Sequence, residues 1–252
     1  MLLCRVYLVY KIMRHTIFGA FVTSNPSYSN EFRSPLSLRE SVYLHIKKLI
    51  MHNMIAPGEV IAVDRMATML GVSRTPVREA LLLLEGDALV TSAPNHGFVT
   101  TEISASHIEH VFEVRRILES HAAYTATPLI SESKIEALGD LFNRAVAEIR
   151  QGSYELCDQC DLELHGLILE NCGNPVLAEL VNSLVERTLR IRYLANTPPE
   201  LYGETIMEEH TAVLRALRSR NADEARLKME THLLNACERT HSCLKSIRNK
   251  QL

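Results

Sequence analysis

The 252-residue sequence predicts a mainly α protein in two parts. A compact helix-turn-helix carrying a β-hairpin comes first, and an all-helical antiparallel bundle follows. Three observations carry that expectation. From Leu38 to Leu84, and again from Ser104 to Ile247, apolar residues recur at three- and four-residue spacing, the period of amphipathic helices. Between those stretches, Leu89-Val90-Thr91 and Phe98-Val99-Thr100 are β-prone runs on either side of a turn, Pro94-Asn95-His96-Gly97. After Ser104 no strand-like alternation returns.

The chain is long enough for two domains, each with its own core. At 46% hydrophobic and 23% charged it is globular in composition and is not a low-complexity chain. A formal net charge of -3 gives no overall basic signature, so a nucleic-acid partner would have to be met by a local patch. Cys4, Cys157, Cys160, Cys172, Cys237 and Cys243 are scattered through the chain, unlike the cysteines of a secreted disulfide scaffold. Cys157-x-x-Cys160 lacks the second pair that a zinc ribbon needs, and its segment reads as helix, so the two are expected to be neighbouring helical thiols. A reducing cytoplasm fits this usage. The opening MLLCRVYLVYKIMRHTIFGAFVT is apolar but broken by Arg5, Lys11, Arg14 and His15. No run there approaches the roughly 18–20 apolar residues of a membrane span, and no small-residue cleavage pattern follows cleanly. Residues 1–33 read as a poorly ordered extension, with Met13 a rival start, and no membrane partner is expected.

The first domain is expected over 34–102. Leu38, Val42, Ile46, Leu49 and Ile50 make 37–53 an amphipathic helix, ended by the turn Ala56-Pro57-Gly58-Glu59. A short helix over 63–70 faces Met66, Ala67 and Leu70 inward and stops at Gly71, which tolerates positive φ. Ser73 is placed to cap the next helix through its hydroxyl, and Pro76 falls in its first turn, where a missing N–H costs nothing. Val77, Ala80, Leu81 and Leu84 form its apolar stripe, while Arg74 and Arg78 lie four apart at its exposed start. Helix, tight turn and second helix with a polar N-terminus fit a DNA major groove, and a hairpin directly after the second helix is a wing. Between residues 36 and 100 six basic residues balance six acidic ones, which argues for modest nonspecific affinity.

GVSRTPVREAL followed by LVTSAPNHGFVT closely resembles the winged helix-turn-helix of GntR-family regulators. The resemblance implies that Ser73, Arg74, Thr75 and Arg78 contact DNA from the recognition helix, and that His96 and Gly97 approach the minor groove from the wing. The chemistry agrees: an arginine pairs bidentately with guanine O6 and N7, and hydroxyls and helix N-terminal amides suit phosphates.

The second domain is expected over 103–247, with 248–252 a tail. Its helices read as 104–126, 132–151, 154–172, 175–195, 204–219 and 222–246, with breaks at Thr127-Pro128, Gly152, Gly173-Asn174, Thr197-Pro198-Pro199 and Arg220-Asn221. Asp161 and His165, four apart, share one helix face. His210 and His232 are each 11 residues from Asn221. At about 1.5 Å of rise per residue they stand at one level of an antiparallel pair. One carboxylate and three imidazoles can thus converge, a donor set for Zn²⁺, Ni²⁺ or Mn²⁺ with positions left open. His107, His110 and His121 form a competing face on one helix.

This domain resembles the FCD effector domain of the FadR subfamily. The metal-binding members carry D-x3-H, then a His in an E-H motif, then a His 22 residues on. Here those positions are Asp161 and His165, Glu209-His210, and His232. Cys172-Gly173-Asn174-Pro175 is similar to the family's SGN turn, with Cys172 in place of the usual Ser, and EVRRILE (113–119) is similar to its E-x-R-x-x-L-E helix. The resemblance implies a divalent metal on those four residues and an acidic effector's carboxylate on Arg115, which otherwise pairs with Glu119 within its helix. A homodimer on a near-palindromic operator follows, with a small carboxylate effector shifting the helix packing. Two alternatives stay open. One is a metalloenzyme with Glu163 or Glu209 as base, although no nucleophile elbow, phosphate loop or HExxH is present. The other is a plain dimerisation domain with incidental histidines.

Overall fold

The computed structural model describes residues 37–93, 97–195 and 202–250. The extension read over 1–33 and His96 at the wing's turn lie outside the described residues. The chain divides into two compact units, the first ending at Ser104 and the second beginning at Ala105.

In the first unit α1 (Leu38–Met51) begins with a capping box: Ser37 Oγ accepts from Glu40 N, and Glu40 Oε2 accepts from Ser37 N at 3.1 Å. Helix α2 (Val63–Leu70) ends at Gly71, whose φ of 66° is the left-handed turn expected there. Helix α3 is Arg74–Gly86. Val42, Ile46, Ile50, Leu70, Val77, Leu81 and Leu84 are all buried, so the apolar stripes of the three helices meet in one core. The wing strands are β2 (Val90–Ala93) and β3 (Gly97–Thr100), paired antiparallel from Val90–Thr100 to Ala93–Gly97.

Two local expectations are corrected. A further strand, β1 (Val60–Ile61), pairs with β3 and completes a three-stranded sheet in the order β1-β3-β2. Two residues between a turn and a helix carry no alternation to detect; only β3 makes them a strand. Ser73 does stand at the N-cap of α3 with extended backbone, but its hydroxyl makes no capping bond. The first-turn amides of α3 therefore lack that side-chain partner, and the hydroxyl stays exposed.

The second unit holds α4 (Ala105–Ala126), α5 (Glu132–Ile149), α6 (Cys157–Asn171), α7 (Pro175–Ala195), α8 (Gly203–Arg218) and α9 (Ala222–Lys250). Each begins or ends within a few residues of its expected bound, and α9 runs on past 246 into the stretch read as tail. The breaks have physical causes. Gly173 (φ 76°) ends α6, and Asn174 Oδ1 accepts from Val176 N and Leu177 N to start α7. Asn221 Oδ1 accepts from Glu224 N to start α9. Before it Arg220, at φ 57°, reaches back to the carbonyls of Thr127 and Ile130 and to Glu132, tying the α8–α9 turn to the end of α4. Cys157 and Cys160 lie in the first turn of α6, buried and outside any disulfide. Burial, then Cys157 and Asp161, push the Cys160 thiol up to about 12. Among the described residues no helix is long and apolar enough to cross a membrane.

Candidate functional site

The first unit presents the N-terminus of α3 to solvent. Ser73, Arg74, Thr75 and Arg78 are all exposed, while Val77, one residue before Arg78, is fully buried. The same helix therefore anchors itself on one face and offers its polar start on the other. Arg74 is not loose: its Nε forms an ion pair with Asp64 Oδ1 on α2 at 2.6 Å. The far end of α3 is fixed from α1. Tyr43 donates to Asp87 and Lys47 Nζ donates to Tyr43 Oη at 2.9 Å, a network in which burial, offset by Lys47, carries the Tyr43 pKa up to about 12. On the wing, Gly97 has φ 82°, and a Cβ there would lie 3.0 Å from Ile61 O on β1. Glycine is needed at that position whatever the wing touches, because β1 leaves no room for a side chain.

In the second unit Asp161 and His165 of α6, His210 of α8 and His232 of α9 come together, with one ligand atom from each within 4.8 Å of all the others. Among the described residues this is the group so arranged; His107, His110 and His121 do not form one. His165, His210 and His232 are buried and Asp161 is half-buried. His165 Nδ1 lies 2.6 Å from Glu119 Oε2, and His232 Nδ1 lies 2.7 Å from Glu209 Oε2. Each carboxylate takes the Nδ1–H and leaves Nε2 as the lone-pair side of its ring. Those two Nε2 atoms face each other at 3.3 Å. Two lone pairs at that separation repel unless a proton or a cation stands between them.

The electrostatics agree. Burial opposes charge on His165, but Glu119 at 2.6 Å outweighs it and raises the pKa. Burial depresses His232 to about 3 and also lowers His210. His210 is fully buried, its ring stacked on Phe142, and neither ring nitrogen has a hydrogen-bond partner. Its Nε2 is 3.3 Å from Asp161 Oδ1. An orphaned imidazole nitrogen beside a carboxylate and two inward-facing Nε2 atoms is a donor set that a divalent cation would satisfy.

Behind these four residues stand groups that the sequence assigned otherwise. Glu119, considered only as a partner for Arg115, accepts from both Arg115 Nε (2.7 Å) and His165. Arg115 is buried and also donates from Nη1 to Thr188 Oγ1 on α7 at 3.0 Å. The intrahelical pair thus forms, and through Glu119 the guanidinium stands one carboxylate from His165 of the cluster. Despite burial, Arg115 and His165 hold Glu119 down to about 2. Glu209, read as part of the E-H motif and weighed as a base, accepts from His232, Asn235 and both terminal nitrogens of Arg239, and those bonds hold it at about 2 against its burial. The signal in the sequence was slight: Glu209 is the residue before His210, and Glu119 falls four after Arg115.

A winged helix-turn-helix in one chain with a helical domain defines a class, the DNA-binding transcriptional regulators. Residues 38–99 match the family described as bacterial regulatory proteins, gntR family, and residues 110–235, half of the chain, match the FCD domain. The chain belongs to the GntR family of regulators, in the group that carries an FCD domain. It is 26% identical over 197 residues to YdhC, an HTH-type transcriptional regulator of Bacillus subtilis strain 168, covering 78% of this chain and 88% of that protein. It is 24% identical over 204 residues to the HTH-type transcriptional repressor RspR of Escherichia coli K12, covering 80% and 88%. The solved structure of E. coli McbR/YncC shares the fold, with a TM-score of 0.66 at 23% identity over 82% of this chain and 98% of that one. With both family matches and relatives named as transcriptional regulators, the chain is a transcriptional regulator and not the metalloenzyme weighed above.

Proposed function

We propose that the protein acts in the cytoplasm as a homodimer on a near-palindromic operator. Ser73, Arg74, Thr75 and Arg78 would meet the major groove, and His96 and Gly97 would meet the minor groove. In the second unit Asp161, His165, His210 and His232 hold a divalent ion (Zn²⁺, Ni²⁺ or Mn²⁺), and Arg115 helps to bind a small carboxylate effector that modulates operator binding. The observation that carries the metal reading is the buried His210 with no hydrogen-bond partner, set among two facing imidazole nitrogens and a carboxylate. When bound, the ion supplies a Lewis-acid seat for a carboxylate oxygen. The chain's own residues do the rest. Glu119 and Glu209 fix the tautomers of His165 and His232, and the buried guanidinium of Arg115 adds positive charge beside them. Thr188 links Arg115 to α7, so a ligand that draws on Arg115 acts on the packing of α4 against α7. It modulates DNA binding only by its unequal affinity for two arrangements of the protein.

The test is a thermal melt of protein stripped by chelator and reloaded with Zn²⁺, Ni²⁺ or Mn²⁺, against small carboxylates. A ligand at a hundred times its dissociation constant adds about 2.7 kcal/mol of stability. A shift seen only in the metal-loaded protein is expected. No response to metal or carboxylate would leave a plain dimerisation domain.

A further inference from the structure

We propose that Asp64 is a specificity-determining positioning residue for DNA recognition, acting through Arg74; the inference rests on the reading of Arg74 as a base-contacting side chain. Arg74 is the first residue of α3 and Asp64 lies in the first turn of α2, so the pair spans the two helices of the helix-turn-helix. Both side chains are open, 75% and 66% exposed, yet Arg74 Nε meets Asp64 Oδ1 at 2.6 Å.

Two consequences follow from that geometry. A guanidinium has five N–H donors on a rigid plane. With Asp64 Oδ1 ion-paired at the Nε edge of that plane, the end-on pair of terminal nitrogens is the edge left over, the fork that matches guanine O6 and N7. A long arginine side chain otherwise loses much rotamer freedom on binding. Here Asp64 has already taken part of that freedom away.

The second consequence is exclusion. Phosphate contacts are sequence-blind and strong for any free arginine at a helix N-terminus. A carboxylate beside Arg74 cancels its charge toward the backbone and repels phosphate oxygens. Arg74 is then left favouring an interaction that Asp64 opposes less, the uncharged edge of a base. The balance of six basic and six acidic residues over 36–100 belongs to the same logic, since weak sequence-blind attraction sharpens the ratio of specific to nonspecific binding.

The experiment is selection from a random duplex pool with the full chain and with Asp64→Asn, Asp64→Glu and Arg74→Ala, together with the affinity of each for a mixed-sequence duplex across salt concentrations. The positions whose base preference disappears in Arg74→Ala mark what Arg74 reads. At those positions Asp64→Asn is expected to lose about fivefold or more of its discrimination. Over the same salt range it should bind the mixed-sequence duplex more tightly than the parent does, and Asp64→Glu should restore the parent's preference. Unchanged preferences and unchanged mixed-sequence affinity in Asp64→Asn would overturn the inference. So would a loss of affinity by the same factor on selected and mixed duplexes, which is what a merely structural contact gives. Failure of the parent protein to select any motif would instead defeat the reading of Arg74 itself, and this inference with it.

Discussion

Replacing Glu209 by glutamine separates the support of the proposed metal centre from the centre itself. Glu209 Oε1 accepts from Asn235 Nδ2 and Arg239 Nη1, and Oε2 accepts from Arg239 Nη2 and His232 Nδ1, all within 2.7–2.8 Å. A glutamine of the same shape keeps one oxygen. If that oxygen stays on His232, its new NH₂ group faces the donors of Asn235 and Arg239, and two bonds are lost. Hydrogen bonds to charged groups are worth about 1.5–3 kcal/mol each. Partial rearrangement of Arg239, whose side chain is only 15% exposed, leaves a net cost of about 2–3 kcal/mol. For a protein of this length each kcal/mol moves the melting temperature by roughly 2–4 °C, so the apo variant should melt roughly 5–10 °C lower. The ligand atom on His232 survives, but its tautomer and orientation are no longer imposed, and loss of such an outer carboxylate weakens metal affinity about 10–100-fold. Differential scanning fluorimetry of the stripped protein and competition with a chromophoric chelator measure the two quantities separately. A lowered melting temperature with metal affinity unchanged would refute the reasoning, because Glu209 would then brace α8 against α9 without positioning a ligand.

Three other outcomes are expected. Tyr43→Phe removes the hydroxyl that donates to Asp87 and accepts from Lys47, leaving the Lys47–Asp87 ion pair, and should cost about 1–2 kcal/mol in chemical denaturation at neutral pH. Because the folded pKa of Tyr43, about 12, lies above the ordinary value of 10.0, its contribution is intact below pH 10 and is lost as pH rises through 12. Parent and variant should therefore converge on that alkaline limb, and parallel curves would contradict the assignment. Gly97→Ala forces a Cβ to 3.0 Å from Ile61 O at φ 82°. It should lower stability by about 1–3 kcal/mol in a thermal melt, a cost set by strain in the sheet, whether or not DNA is present. Arg115→Gln should retain metal, measured by elemental analysis, while losing the thermal shift given by carboxylates; an undiminished shift would remove Arg115 from the effector site.

Much of this was legible in the sequence because helix periodicity carries three-dimensional information. The four-residue step from Asp161 to His165 fixes a shared face, and the equal distances of His210 and His232 from Asn221 fix a shared level; spacing thus allowed the cluster beside the rival face of His107, His110 and His121, and the resemblance to the FCD domain singled it out. What could not be foreseen depends on the rotation of one helix against another. Glu209 and His210 are neighbours in sequence, yet one is aimed at His232 and the other into the cluster; only the packing of α8 on α9 decides which. Arg74 and Asp64 meet across a turn between two helices, and Val60-Ile61 become a strand only because Val99 and Phe98 lie beside them. Ser73 shows the opposite failure: its position was correct and its bond was not, since an N-cap backbone conformation does not oblige the hydroxyl to turn inward.

The central claim is that the second unit is built around a metal ion. The most direct measurement is the metal content of the purified full chain, by elemental analysis, beside that of His210→Ala, with the fold of both checked by circular dichroism. The account predicts about one divalent ion per chain in the parent, little or none in His210→Ala, and a lower melting temperature when the parent is stripped. A parent that holds no metal after exposure to Zn²⁺, Ni²⁺ and Mn²⁺, and melts the same with and without chelator, would contradict it.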